Sequence, residues 1–225
     1  MTRYVMREGL SFCEAGGRLV FLDVRNDRYL RLPLALERTL VAYLSSETET
    51  DLDVGELITR GFLVEASAIP SYASEAAQEP ARSAMELSPA RATIRLLDIV
   101  EVLVIVLSTR LRLRFHPLHR VLDSLKRTPD QSADHRPTAR APQTQQILDA
   151  AARFRQIRLY IPVGMRCLID SIAMARFLKR RNLDVQIVFG VAVDPFSAHC
   201  WVQAGDLVLN DTWGNVTSHV PIRVV

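Results

Sequence analysis

From Pro162 to Thr212 the sequence reads as a turn, a helix and three strands, and that order dictates where its reactive side chains can meet. Pro162-Val163-Gly164 breaks a preceding helical pattern. A new helix therefore starts near Cys167, with Leu168, Ile172, Ala175 and Leu178 on its buried face. The β-branched run from Val185 to Val193 predicts a buried strand. Ala198 to Gln203 and Leu207 to Thr212 predict two more, joined at Ala204-Gly205-Asp206. Thirty-two residues separate Cys167 from His199, and twelve more lead to Asp211. A thiol at a helix start, here beside Arg166, has its thiolate favoured by the partial positive charge of that helix end. Imidazole is the side chain suited to take the thiol proton near neutral pH, and a carboxylate orients the ring and stabilises its cation. Taken singly, the three have plainer readings: a small buried residue, a structural histidine and a turn residue before Thr212 and Gly214. Together, in this setting, they form a candidate nucleophile, base and orienting group.

The hairpin register sharpens that expectation. With a three-residue loop at Ala204-Gly205-Asp206, Gln203 pairs with Leu207, Trp201 with Leu209 and His199 with Asp211. Directly opposed Cβ atoms lie about 4.5–5.5 Å apart, within reach of a hydrogen bond. A two-residue loop would instead place His199 and Asp211 on opposite faces. Cys200 alternates away from His199 and, like Cys13, reads as a packing residue. Trp201 and Trp213 read as core or cleft wall. His116, His119, His135 and His219 make no ligand pattern, so neither a metal nor a cofactor is expected.

Upstream, Leu19 to Val24 and Tyr29 to Leu32 flank the polar turn Arg25-Asn26-Asp27-Arg28, which predicts a β-hairpin. Pro33 ends the second strand and suits a helix's first turn. Leu34, Leu36, Leu40, Val41 and Leu44 recur at helical spacing, a short helix follows from Asp53 to Thr59, and Phe62-Leu63-Val64 reads as a strand or as packing against the helices. Residues 1–66 thus make a small winged-helix-like module. Residues 67–90 are rich in Ala, Ser, Glu and Pro and read as a linker, because such a composition buries little apolar surface. The segment from Arg91 to Phe115 is apolar on more than one helical face, yet its uncharged run extends only from Val102 to Thr109. A bilayer needs roughly 20 apolar residues, so a buried core helix is expected and no membrane insertion. Residues 127–143 read as a loop, and a helix is expected from Gln145 to about Arg158.

Charge separates the two parts. Residues 1–66 carry eight Arg against eleven Asp and Glu, whereas the remainder carries twenty basic and fourteen acidic residues. An acidic N-terminal module is a poor phosphate binder, and the basic remainder lacks interleaved aromatics, so no nucleic-acid partner is expected. Arg3, Arg7 and Glu8 interrupt any apolar stretch at the start, so no signal peptide is expected. A cytoplasmic setting with free thiols follows as the expectation.

Arg166-Cys167-Leu168 with Ser171, Ala175 and Leu178, then Ala198-His199-Cys200-Trp201-Val202, then Asn210-Asp211-Thr212, resembles a transglutaminase-like cysteine protease. Leu22-Asp23, Tyr29-Leu30 and Gly61-Phe62-Leu63 resemble a PqqD-like module that recognises precursor peptides. In this order, the two together are similar to the fused B protein of lasso-peptide maturation. The resemblance covers residues 1–66 and about 91–215; Cys200 departs from it, standing where the family has a small residue. It implies an α+β chain: a PqqD-like module over 1–66, the linker over 67–90, and a transglutaminase-like, papain-like cysteine protease domain over 91–225. It also implies an activity, the removal of a leader from a ribosomally made precursor, with Cys167, His199 and Asp211 as catalytic residues. An ATP-dependent cyclase related to asparagine synthetase is the implied partner that receives the core.

Strand physics suggests how the leader binds. An extended peptide adds to the exposed edge of a small sheet, so Arg28, Tyr29, Leu30, Arg31 and Leu32 are the expected edge, with Leu57 on the other wall. The plainer reading of that strand is simple hairpin packing. Because the linker offers no apolar content, each module is expected to work as a separate fragment. Two other functions are open: an acyltransferase that uses the same three residues to pass the acyl group to an amine, and a noncatalytic adaptor in which residues 1–66 bind a peptide and the rest is scaffold.

Overall fold

The computed structural model describes residues 4–45, 53–66, 77–87, 94–125 and 140–225. Its N-terminal part runs β1 (Tyr4–Met6), β2 (Leu10–Ala15), β3 (Arg18–Asp23), β4 (Arg28–Leu30), α1 (Leu34–Ser45), α2 (Gly55–Thr59) and β5 (Leu63–Glu65). β1 pairs with β5, and β2-β3-β4 form a separate antiparallel sheet with β4 at one edge. The expected hairpin is β3–β4, and α1 starts directly after Pro33, whose carbonyl accepts from the Glu37 N–H at 3.0 Å. Glu37 is buried and accepts from the Leu19 N–H and from Arg18 Nε, tying α1 to β3.

The remainder runs β6 (Arg82–Ser83), α3 (Leu96–Phe115), α4 (Leu118–Asp123), α5 (Arg140–Arg158), α6 (Cys167–Lys179), β7 (Gln186–Val193), β8 (Phe196–Ala204), β9 (Leu207–Val208), α7 (Trp213–Thr217) and β10 (Val220–Val224). Its five-stranded sheet has the order β10-β7-β8-β9-β6. One face, bearing Ile187, Phe189, Val191, Cys200 and Val202, packs under α6 and its neighbours. The opposite face carries Val188, Trp201 and Val208, covered by Val216 of α7. This mixture of helices with largely antiparallel sheets is the expected α+β class.

Three expectations change. The stretch read as a linker is partly structural: within it β6 pairs in parallel with β9, and Ala84 lies in the main core. Its composition concealed this because the packed part is short and held mostly by backbone hydrogen bonds. Among these, Ala81 N–H donates to Asp206 O at 2.9 Å and Ala84 N–H to Val208 O at 2.8 Å. Secondly, α3 is buried along Asp98, Val102, Ile105, Val106 and Thr109, while Leu97, Val100, Val104 and Leu111 are exposed, so it is not a core helix on all sides. No helix of the described residues is long and apolar enough to cross a membrane. Of the loop expected over 127–143, residues 140–143 begin α5 and the rest lies outside the described residues.

Thirdly, the two parts are not independent. Alternate side chains of β3 enter two different cores: Leu19 and Phe21 join Leu40, Leu57 and Leu63, whereas Val20 and Leu22 join Phe189, Val191 and Ile222. Arg223 of β10 donates to Ser11 Oγ of β2 at 2.9 Å across the same junction. A separated 1–66 fragment would expose the Val20–Leu22 face to water. Leu22→Ala should therefore cost about 2–5 kcal/mol and lower the urea midpoint of a single transition followed by far-UV dichroism. Independent modules would instead give two transitions, only the earlier one moving.

Candidate active site

α6 begins at Cys167 because the segment before it cannot be helical: Arg166 has extended backbone angles, and Asp170 accepts from its N–H at 3.0 Å. The helix is then pinned onto the sheet by a buried polar chain. Ser171 Oγ donates to the Cys200 carbonyl at 3.0 Å, and Asn210 Nδ2 donates to Ser171 Oγ at 2.9 Å. Asn210 Oδ1 accepts from the Val202 N–H at 2.7 Å. These bonds set the helix start, β8 and the Asp211 turn in one frame, and the cost of leaving any member unpaired in the interior keeps them there.

The His199–Asp211 contact forms by a route different from the one expected. Gln203 pairs with Val208 and Ala204 with Leu207, so the loop is the two residues Gly205-Asp206, with Gly205 at φ 59°. Leu209 accordingly meets Val202, donating to its carbonyl at 2.9 Å, rather than Trp201. Had the ladder continued, Asp211 would oppose Cys200 and face away from His199. It does not continue: β9 ends at Val208, and Asn210 substitutes its side chain for the next ladder bond. The chain then turns, and Asp211 Oδ2 hydrogen-bonds His199 Nε2. That leaves Nδ1 for the Cys167 thiol, whose pKa the imidazole lowers.

Residues outside the three complete the arrangement. Asn215 Nδ2 donates to Asp211 Oδ2 at 2.9 Å, and the Thr212 N–H donates to Oδ1 at 2.7 Å. Ser83 Oγ, in the stretch read as a linker, donates to the Asp211 carbonyl. Trp213 is exposed rather than core; its N–H donates to Glu86 Oε1 at 3.0 Å and its indole to the Pro80 carbonyl at 2.9 Å. Residues 80–86 thus brace the Asp211 turn. Beneath the imidazole lies Trp201, nearly parallel with centroids 6.1 Å apart, and His219 sits 5.3 Å away. Gly190 makes room for both: a Cβ there would lie 2.8 Å from the Trp201 ring and 3.0 Å from the His219 Cβ.

Cys200 is the residue most misjudged by strand alternation. It points away from His199 as expected, but α6 packs on that face, and its thiol acts on the Cys167 pKa rather than only filling space. The hydrogen bond from Cys200 is the largest cause that lowers the Cys167 pKa, followed by His199; together they outweigh burial and bring it to about 4. Reciprocally, the contact with Cys167 and then burial push the Cys200 thiol well above its ordinary value. Hydrogen bonds to Asp211 first and Cys167 second raise His199 to about 9. Burial pushes the Asp211 carboxyl upward, but His199, Asn215 and Thr212 together hold it below its ordinary value. The resting pair is a thiolate and an imidazolium, with the third cysteine, Cys13, raised to about 11 by burial.

The residues expected to bind a leader separate into two groups. Tyr29 of β4 packs against Phe196 of β8, with centroids 5.9 Å apart, and its phenol is raised by burial and then by the charges of Cys200 and Cys167. The β4 edge therefore runs up to the site. Arg28 and Arg31 are exposed, Arg28 lying 3.8 Å from Asp23, while Leu30 packs partly on the N-terminal core. Leu57 is fully buried and Leu32 nearly so, each inside that core, so neither lines a groove. Strand addition locates an edge but not whether a neighbouring apolar residue such as Leu57 is already covered by the core.

Residues 103–224, more than half of the chain, match the transglutaminase-like superfamily. The chain belongs to that superfamily. Over 45 residues it is 47% identical to the microcin J25-processing protein McjB of Escherichia coli, a stretch that is 20% of this chain and 22% of McjB. The match thus spans about a fifth of that relative's length. No solved structure matches.

The ion pair sets an expected pH response. Alkylation of Cys167 by iodoacetamide should rise through about pH 4 as the thiol loses its proton, and change again near 9 when His199 loses its own. Cys200→Ala removes the first lowering contact, so the lower step should move to higher pH. Mass spectrometry of the Cys167 peptide across pH reads both; one step at an ordinary thiol pKa would contradict the ion pair.

Proposed function

We propose that this chain is the leader peptidase of a lasso-peptide pathway, cleaving a ribosomally made precursor with Cys167 as nucleophile. The reading rests above all on the Cys167–His199–Asp211 contact at a helix start, in a chain similar over a short stretch to a microcin-processing protein. The thiolate attacks the scissile carbonyl, and the developing oxyanion accepts from the Cys167 backbone N–H at the first turn of α6. The imidazolium gives its Nδ1 proton to the leaving amine, which becomes the new N-terminus of the core. The leader remains as a thioester. Neutral His199 then takes a proton from water, hydroxide attacks the thioester, and the leader leaves as a carboxylate. Asp211 stays ionised and keeps the ring oriented.

The N-terminal part serves as the leader-recognition module. β4 is the free edge of its sheet, so an extended leader gains main-chain hydrogen bonds there, and Tyr29 places that edge beside the site. The released core passes to an ATP-dependent cyclase related to asparagine synthetase, which joins its amine to an acidic side chain.

With a lasso-peptide precursor as substrate, Cys167→Ala should abolish cleavage, and Asp211→Asn should lower kcat by about 10²–10⁴-fold with a smaller effect on KM. Mass spectrometry of the products also separates hydrolysis from acyl transfer: a leader ending in a free carboxylate supports the reading, and a leader joined to an added amine favours the acyltransferase. For recognition, leader addition to Cys167→Ala should slow amide hydrogen exchange over residues 28–32. Protection confined to other strands would remove β4 as the edge.

A further inference from the structure

Next to the nucleophile is a cavity of about 640 Å³ that the chemistry above does not use. That volume is in the range of small-ligand sites. One wall is the C-terminal half of α3, where Arg110, Leu113 and Arg114 share a face at i, i+3, i+4 spacing. The other is formed by Arg166 and by Leu168 and Ile169 of α6, so residues on both sides of Cys167 line it. Its lining combines three guanidiniums with an apolar floor and contains no carboxylate.

The arginines are uncommitted. Among the described residues none of the three has an ion-pair partner. The nearest acid in sequence, Asp170, is engaged elsewhere: Oδ1 accepts from Arg158 Nε at 2.6 Å and Oδ2 from the Arg166 N–H. Arg158, only 4% exposed, also donates to the carbonyls of Val163 at 2.9 Å and Gly164 at 3.3 Å. The loop before Cys167 is therefore held rigid, with its negative groups turned inward to Arg158. All three are exposed at the rim, so their head groups are free to turn toward a ligand, and guanidinium pairs favourably with a carboxylate through two parallel hydrogen bonds.

We infer that this cavity is a specificity pocket for an acidic side chain of the peptide substrate, held by Arg110, Arg114 and Arg166 near the scissile bond. The inference rests on the peptidase reading. An extended peptide advances about 3.3 Å per residue, so a pocket starting one residue from Cys167 reads a side chain within about four positions of the cut. An acidic residue at that position tightens binding, and its amide counterpart does not.

The test uses the full-length Cys167→Ala chain and terminally blocked peptides spanning a precursor's junction. Each residue within about four positions of the cut is replaced in turn by Glu and by Gln, and binding is read by calorimetry. At one position Glu should bind about tenfold more tightly than Gln, and this preference should fall to about twofold or less in the Arg110→Gln, Arg114→Gln double variant. Arg114→Glu should transfer the preference to Lys at the same position. Equal binding of Glu and Gln peptides everywhere, or a preference that survives the double variant, would overturn the pocket. So would inorganic phosphate binding at these arginines without any peptide preference, which would mark a free-anion site. A wild-type chain that leaves the precursor intact would defeat the peptidase reading separately, with the Glu-to-Gln comparison still deciding the pocket's occupant.

Discussion

Strand β3 is buried on both faces, and the position of the candidate site relative to the N-terminal sheet follows from that. Phe21 has no exposed surface and Leu22 almost none, though their side chains point in opposite directions. A strand alternates its side chains between two faces, so two apolar layers must cover it. One layer is the N-terminal part's own core and the other is the core beneath β7 and β10. Removing either leaves a row of apolar residues in water at roughly 25 cal/mol per Å² of area exposed. The β4 edge is thereby held at a fixed distance from Cys167 instead of being tethered by a flexible connection.

At the site, hydrogen bonds replace apolar packing as the positioning device. Cys167 belongs to a helix, His199 to a strand and Asp211 to a turn, and none of these elements would align them by itself. Ser171 and Asn210 join all three through bonds that are costly to break in the interior. The charges then support one another: the thiolate raises the imidazole, and the imidazole and Cys200 lower the thiol. As a weak donor the Cys200 thiol adds to the stabilisation that the His199 imidazolium gives the Cys167 thiolate.

Much of this was legible in the sequence, and what was not has specific causes. Pro162-Val163-Gly164 locates the start of α6, and the Val185–Val193 run locates β7, since both signals are local. The His199–Asp211 contact was anticipated from a register the chain does not adopt: Gly205 favours a shorter loop, and the early end of β9 restores the contact through the Asn210 turn. Loop length and strand termination depend on side chains beyond the local pattern. Cys200 reads as a packing residue because alternation gives a direction but not what packs there. Residues 80–86 looked too polar to be structural, yet their backbone and Ser83 hold the Asp211 turn. The run Leu19-Val20-Phe21-Leu22 did carry a usable signal: unbroken apolar residues in a strand mean burial on both faces, which argues against free-standing modules.

If the proposed function holds, Cys167 is the one nucleophile directed at a peptide carbonyl delivered by the leader. It is tested with a leader peptide in which a chloromethyl group follows the scissile carbonyl in place of the leaving amine, incubated with the full chain and mapped by mass spectrometry; the thiolate displaces chloride. A single adduct on Cys167 is expected, with Cys13 and Cys200 unmodified and labelling suppressed by excess unmodified leader. Labelling of another cysteine in preference to Cys167, or no adduct although the leader binds, would contradict it.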